Sequence, residues 1–385
     1  MRRQVFHEHG AEADITGART VSLQQLVPLP EDWQGFSRIW TRRRVLVVFF
    51  FISFALFALP AAAITKTLQV VVSISPLQAL VAGVMFGVGE PKLLVPGGVS
   101  PHTYALRPSD ALALSAAQVV VLIDPTFETF LSRPLATLAS QARVMHVADV
   151  PGLQKYPARA SWVANAPDSR GADHLGDSHA HHVHTHTHGK TFDPHLWLDP
   201  DNARHIVTAV AGVLAEVDPV HAATYQHNAQ TIAQDLITLD ETLHRELAPV
   251  TRHPFIVFHD AYQYLEVHYG LNAVGAATVT PERAPGIRHL SALRERIRTL
   301  GVICVFHEPQ FPPKIVETIV AGTSVRVGML DPLGSPGQYA EYAKMMKANA
   351  RALRACLAPE LAHDEEQNTM RSTLNQEHRQ HVQSR

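Results

Sequence analysis

The sequence predicts an α/β protein: two (β/α) lobes with parallel sheets, joined by a long bridging helix. Three observations lead there. Short apolar runs of strand length alternate with helical stretches and fall into two separate sets. A single helix face of apolar residues runs between the sets. The chain has 385 residues, too many for one ordinary core.

Residues 1–63 read as a leader and signal peptide. Arg42-Arg43-Arg44 precedes the apolar run Val45–Leu59, and Pro60-Ala61-Ala62-Ala63 follows it, with small residues placed for cleavage after Ala63. The expectation is export through the signal, with a mature chain starting near Ile64. An N-terminal anchor is the competing reading, because Val45–Ile64 is long enough to cross a bilayer.

The first lobe spans 64–217. Its strands are expected at Leu68–Ile74, Lys92–Val95, Val119–Ile123 and Val144–Val147. The second lobe spans 251–358, with strands at Phe255–Phe258, Ala273–Gly275, Val302–Phe306 and Val325–Met329. Apolar runs separated by helices imply parallel sheets covered on both faces.

Residues 218–250 form the bridge. Asp218-Pro219 reads as an N-cap with proline in the first turn. Tyr225, Ala229, Ile232, Leu236, Leu239, Leu243 and Leu247 then recur at intervals of three and four, one helix face. Residues 359–385 are polar and read as a disordered tail.

Thirty-three basic and 35 acidic residues give a net charge of −2, which provides no basic face and argues against nucleic acid. Histidine is the compositional anomaly: seven of 24 fall in the segment His174–His188. His174, His179, His181, His182, His184, His186 and His188 stand among Asp, Ser, Gly and Thr within the loop 173–189. Such a tract has no apolar periodicity to pack, so it reads as a solvated loop offering weak, interchangeable imidazole ligands for a metal.

Other histidines stand in patterned surroundings. His102 follows the turn-rich Pro96–Pro101 after a strand, His195 lies in Asp193-Pro194-His195-Leu196-Trp197-Leu198, and His259 ends the run Phe255–Phe258. Asp331, in Leu330-Asp331-Pro332-Leu333-Gly334, also follows a strand. Strand ends of parallel sheets are where α/β proteins hold ligands. Taken singly, each histidine reads as structural and Asp331 as a turn former. Cys304 and Cys356 are the only cysteines, too few for a zinc ribbon.

Together, Ser100-Pro101-His102-Thr103-Tyr104-Ala105-Leu106-Arg107-Pro108-Ser109-Asp110, His195-Leu196-Trp197-Leu198, Val257-Phe258-His259-Asp260-Ala261-Tyr262, Glu308-Pro309-Gln310-Phe311 and Gly328-Met329-Leu330-Asp331-Pro332-Leu333-Gly334 resemble the zinc-binding periplasmic component of ABC transporters, the ZnuA type. The resemblance runs from about Leu68 to Leu357 and implies lobes packed around a metal site and joined by a rigid helix. It implies His102 and His195 as ligands from the first lobe, His259 from the second, and Asp331 or water completing the shell. It also implies Zn2+ as the bound ion, an inner-membrane ABC permease as partner, a monomer, and a Cys304–Cys356 disulfide. Asp124-Pro125 and His307 depart from the family's usual residues without touching a ligand position.

Ligand chemistry agrees with that metal. Three imidazoles and a carboxylate suit tetrahedral zinc, whereas the related manganese binders place a glutamate at the position of His259. Two other functions are open on the residues alone. A zinc hydrolase would use three histidines with a free position, but no H-E-x-x-H occurs. A periplasmic metal buffer would act through the histidine loop and would not need two lobes.

Overall fold

The computed structural model describes residues 67–159, 192–278, 281 and 285–360. The expected signal, the histidine-rich tract and the tail lie outside the described residues.

The first sheet contains β1 (Val70–Val72), β2 (Lys92–Leu93), β3 (Val119–Leu122) and β4 (Arg143–His146), all parallel, in the order β2-β1-β3-β4. The second contains β5 (Phe255–His259), β6 (Ala273–Thr278), β7 (Cys304–His307) and β8 (Arg326–Met329), parallel again, in the order β6-β5-β7-β8. Both sheets therefore repeat one topology. In each, the chain steps to one side of the first strand and then returns to the other, which leaves a switch point between β1 and β3 and another between β5 and β7. Every strand expected from the apolar runs is present, with ends that coincide or shift by up to three residues.

Helices α1 (Ser75–Val84), α2 (Pro108–Ala116), α3 (Ser132–Leu138) and α4 (Pro200–Val217) belong to the first half. The bridge is α5 (Ala222–Leu247), followed by α6 (Gln263–Tyr269), α7 (Ile287–Thr299), α8 (Lys314–Val320) and α9 (Ala340–Leu357). The buried residues of α5 are Tyr225, Ala229, Ile232, Leu236, Leu239, Leu243 and Leu247, the face read from spacing. That face packs on α4, α1 and α9. Its 26 residues make a rod roughly 39 Å long.

Asp218 and Pro219 hold the expected N-cap and first-turn positions, but of a short turn that precedes the long helix. Pro219–His221 winds as a single 3-10 turn, and Asp218 makes no side-chain cap there. Its carboxylate instead accepts from Tyr225 Oη at 2.8 Å and meets His221 Nδ1 at 2.6 Å. His221 closes that same turn and Tyr225 stands in the first turn of α5.

One continuous apolar cluster joins the inner faces of the two sheets, from Leu68 through Trp197, Leu236 and Phe255 to Leu357. Smaller clusters cover the outer face of each sheet. Helix α9 returns from β8 to pack on α1 and α5, tying the end of the described chain to its beginning. Trp197 sits at the centre of this seam. Its Nε1 donates to Pro332 O at 2.7 Å, and its carbonyl accepts from Tyr342 Oη at 2.8 Å. Cys304 on β7 and Cys356 on α9 are joined as a disulfide.

A candidate metal centre between the sheets

Two of the three motif histidines are presented by the same local device. In Ser100-Pro101-His102, the Ser100 hydroxyl accepts from His102 N at 3.3 Å. In Asp193-Pro194-His195, the Asp193 carboxylate accepts from His195 N at 3.0 Å. A short polar side chain that accepts from the amide two residues on makes a tight turn, and the intervening proline restrains its φ. The third, His259, needs no turn: it is the last residue of β5, at the second switch point.

These elements bring His102, His195 and His259 together, with one ring nitrogen from each inside a mutual distance of 4.8 Å. Ring centroids are 5.1 Å apart for His102 and His259, 4.9 Å for His195 and His259, and 6.0 Å for His102 and His195. Tetrahedral zinc spaces its ligand atoms about 3.4 Å apart, so small side-chain rotations would complete the geometry. His195 and His259 are buried, and His102 is half-buried. Phe127 stands edge-on to His102 at 4.9 Å, and Trp197 lies 5.2 Å from His195. Apolar walls of this kind exclude water and fix rotamers.

A carboxylate on the far side of the His195 ring orients it. Asp193 Oδ1 is 2.7 Å from His195 Nδ1, which directs Nε2 into the cavity. Glu308, just past β7, is buried and lies 3.6 Å from His259 Nδ1. The cavity between these groups encloses about 250 Å³, mouth included, and is lined by the three histidines together with Phe127, Glu308 and Phe311.

Asp331 is placed differently from the histidines. Its Oδ1 accepts from Gln310 Nε2 at 2.7 Å and from Leu333 N at 3.0 Å, and its own amide donates to Asn349 Oδ1 at 2.8 Å. Its neighbours Pro332 and Leu333, rather than Asp331 itself, line the cavity. The nearby Tyr262 hydroxyl is pushed well above its ordinary range by burial and then by the charges of Glu308 and Asp331. It remains a phenol.

A second layer contains groups that spacing did not reveal. Arg159 donates to both Asp260 and Glu266, and all three are largely buried. Asp260 follows His259 directly, and Glu266 lies on α6. Burial holds the Asp260 and Glu266 carboxyls above their ordinary values, and the Arg159 guanidinium offsets only part of that rise. Tyr264 Oη reinforces the seam by donating to Asp193 O at 2.8 Å. The sequence signals for Asp193 and Glu308 were present, one beside a motif histidine and one heading a motif. Nothing local marked Arg159.

Two parallel sheets of one topology, with imidazoles from strand ends and loops of both gathered at their seam, define a two-lobed solute-binding protein built for a metal ion. The family model of the periplasmic zinc-uptake complex component A, ZnuA, matches residues 70–356, and the chain belongs to that family. The high-affinity zinc uptake system protein ZnuA of Brucella suis is 42% identical over 305 residues, covering 75% of this chain and 91% of the relative. A crystal structure of ZnuA superposes with a TM-score of 0.62 at 26% identity, covering 76% of this chain and all of the other. A ZnuA deletion mutant with zinc bound gives a TM-score of 0.60 at 25% identity, covering 76% and 98%.

Proposed function

We propose that this protein captures Zn2+ in the periplasm and delivers it to the permease of an ABC importer, acting as a monomeric carrier rather than an enzyme. His102 and His195 hold the ion from the first lobe, and His259 holds it from the second. Water completes the shell, or Asp331 does so after leaving Gln310. The observation that carries this reading is the convergence of three imidazole nitrogens within 4.8 Å from the two halves of the chain. Three neutral nitrogen donors suit zinc better than manganese, which prefers more carboxylate oxygen. The carboxylate of Asp193 stands behind the His195 ring and raises its basicity, the usual support for a histidine ligand.

Capture and release follow from the same geometry. An ion bound by both lobes closes the seam between them, and a permease that pulls the lobes apart removes His259 from the shell and lowers affinity. The histidine tract 173–189 lies in sequence between the two first-lobe ligands and serves as a weak collector.

A competition titration with a zinc chelator tests the reading. His259→Ala should lose more than about 100-fold in zinc affinity, since it removes a ligand and the tie between lobes. Wild-type affinity in that variant would show that the ion sits elsewhere.

A further inference from the structure

We propose that Asp240, His244 and His268 form a second zinc site, separate from the three-histidine centre, on the flank of the bridging helix. Asp240 and His244 are one turn apart on α5, and therefore on one face. His268 comes from the last turn of α6. One ligand atom from each lies within 4.8 Å of the other two, as in the three-histidine group. Asp240 Oδ1 is 2.8 Å from His268 Nε2 and 3.2 Å from His244 Nδ1. A tetrahedral zinc shell spaces such atoms about 3.4 Å apart, so an ion needs only a few tenths of an ångström of opening. The two imidazole rings are 5.3 Å apart, close to the 5.1 Å between His102 and His259.

The surroundings repeat the supporting arrangement of the main centre. His268 turns its Nδ1 to the buried Asp199 carboxylate at 3.1 Å, which aims Nε2 at Asp240 and His244. Asp193 does the same for His195. Tyr269 Oη donates to Asp240 Oδ1 at 2.8 Å and fixes that carboxylate. Two imidazoles and one carboxylate, with a coordination position open to water, suit zinc. The way in is from solvent, past His244, whose side chain is 53% exposed while that of His268 is 13%. With one imidazole fewer and an exposed flank, this site is the weaker of the two.

Zinc-edge anomalous diffraction from crystals of the full chain in millimolar zinc locates the ions directly. The expected result is a peak held by Asp240, His244 and His268 that vanishes in His244→Ala while the peak among His102, His195 and His259 remains. The second peak reports the main reading independently. In solution, zinc should slow carbethoxylation of His244 at least tenfold, read by peptide mass spectrometry, and Asp240→Asn should abolish the protection. No peak at that site, a peak completed by a neighbouring molecule, or unprotected His244 at millimolar zinc would overturn the proposal.

Discussion

Asp193 Oδ1 accepts the backbone N–H of His195 at 3.0 Å and reaches its Nδ1 at 2.7 Å, so one carboxylate oxygen sets both the turn and the ring. Removing it should loosen the imidazole without removing a ligand. Asp193→Ala is expected to cost about 10–100-fold in zinc affinity. Asp193→Asn should cost less, because its amide oxygen can still accept from both groups. Chelator competition on the three proteins checks the order, and equal affinities would remove Asp193 from the site's support.

Arg159 should matter chiefly for stability. Replacing it with alanine leaves Asp260 and Glu266 buried without their cation, at a cost of about 3–5 kcal/mol. A neutral set, Arg159→Met with Asp260→Asn and Glu266→Gln, should recover most of that loss, because no charge remains to be buried. Urea unfolding of the metal-free proteins measures both. A drop under about 1 kcal/mol for Arg159→Ala would mean that the triad is solvated enough to be expendable.

Glu128 gives the metal-free protein a pH-dependent stability. Burial pushes its carboxyl up to about 7, despite donors from Ile123 N, Asp124 N and Ser73 Oγ. With an unfolded value of 4.5, the folded protein binds more protons than the unfolded one between these limits. The contribution is fully present below 4.5 and is lost as pH rises through about 7. Its upper size is about 3 kcal/mol. Glu128→Gln should therefore flatten the decline in stability across that interval. The constant cost of the altered hydrogen bonds cancels in the slope. Parallel slopes for the two proteins would exclude a titrating Glu128.

The Cys304–Cys356 bridge closes a separation of 52 residues and joins β7 to α9. A chain-entropy argument puts its worth near 4 kcal/mol, with measured effects commonly 2–4 kcal/mol. Replacing both cysteines with alanine should lower unfolding stability in that range while leaving zinc affinity within a few-fold. A large loss of affinity would show that α9 also positions the metal centre.

Asp331 is held by Gln310 and Leu333 N, away from the three-imidazole group. Asp331→Asn should change zinc affinity less than tenfold, against more than 100-fold for His259→Ala. Gln310→Ala, which frees the carboxylate, should raise affinity if Asp331 is the reserve ligand. Titrating all three variants separates a water-completed shell from a carboxylate-completed one.

Sequence by itself determined the strands and the bridging face, because each is written locally, and it singled out three motif histidines as candidates only through their joint resemblance to a family. Strands show as apolar runs and the bridge as a period of three and four. It did not determine what surrounds those histidines. Arg159 meets Asp260 and Glu266 across the seam, Glu308 faces His259 from the adjacent strand, and Asp331 is drawn to Gln310. Asp240, His244 and His268 likewise converge only because α6 packs against α5. Each of these arrangements depends on how strands, loops and helices pack against one another. Buried charges choose partners by distance and desolvation in three dimensions, and no local pattern carries that information.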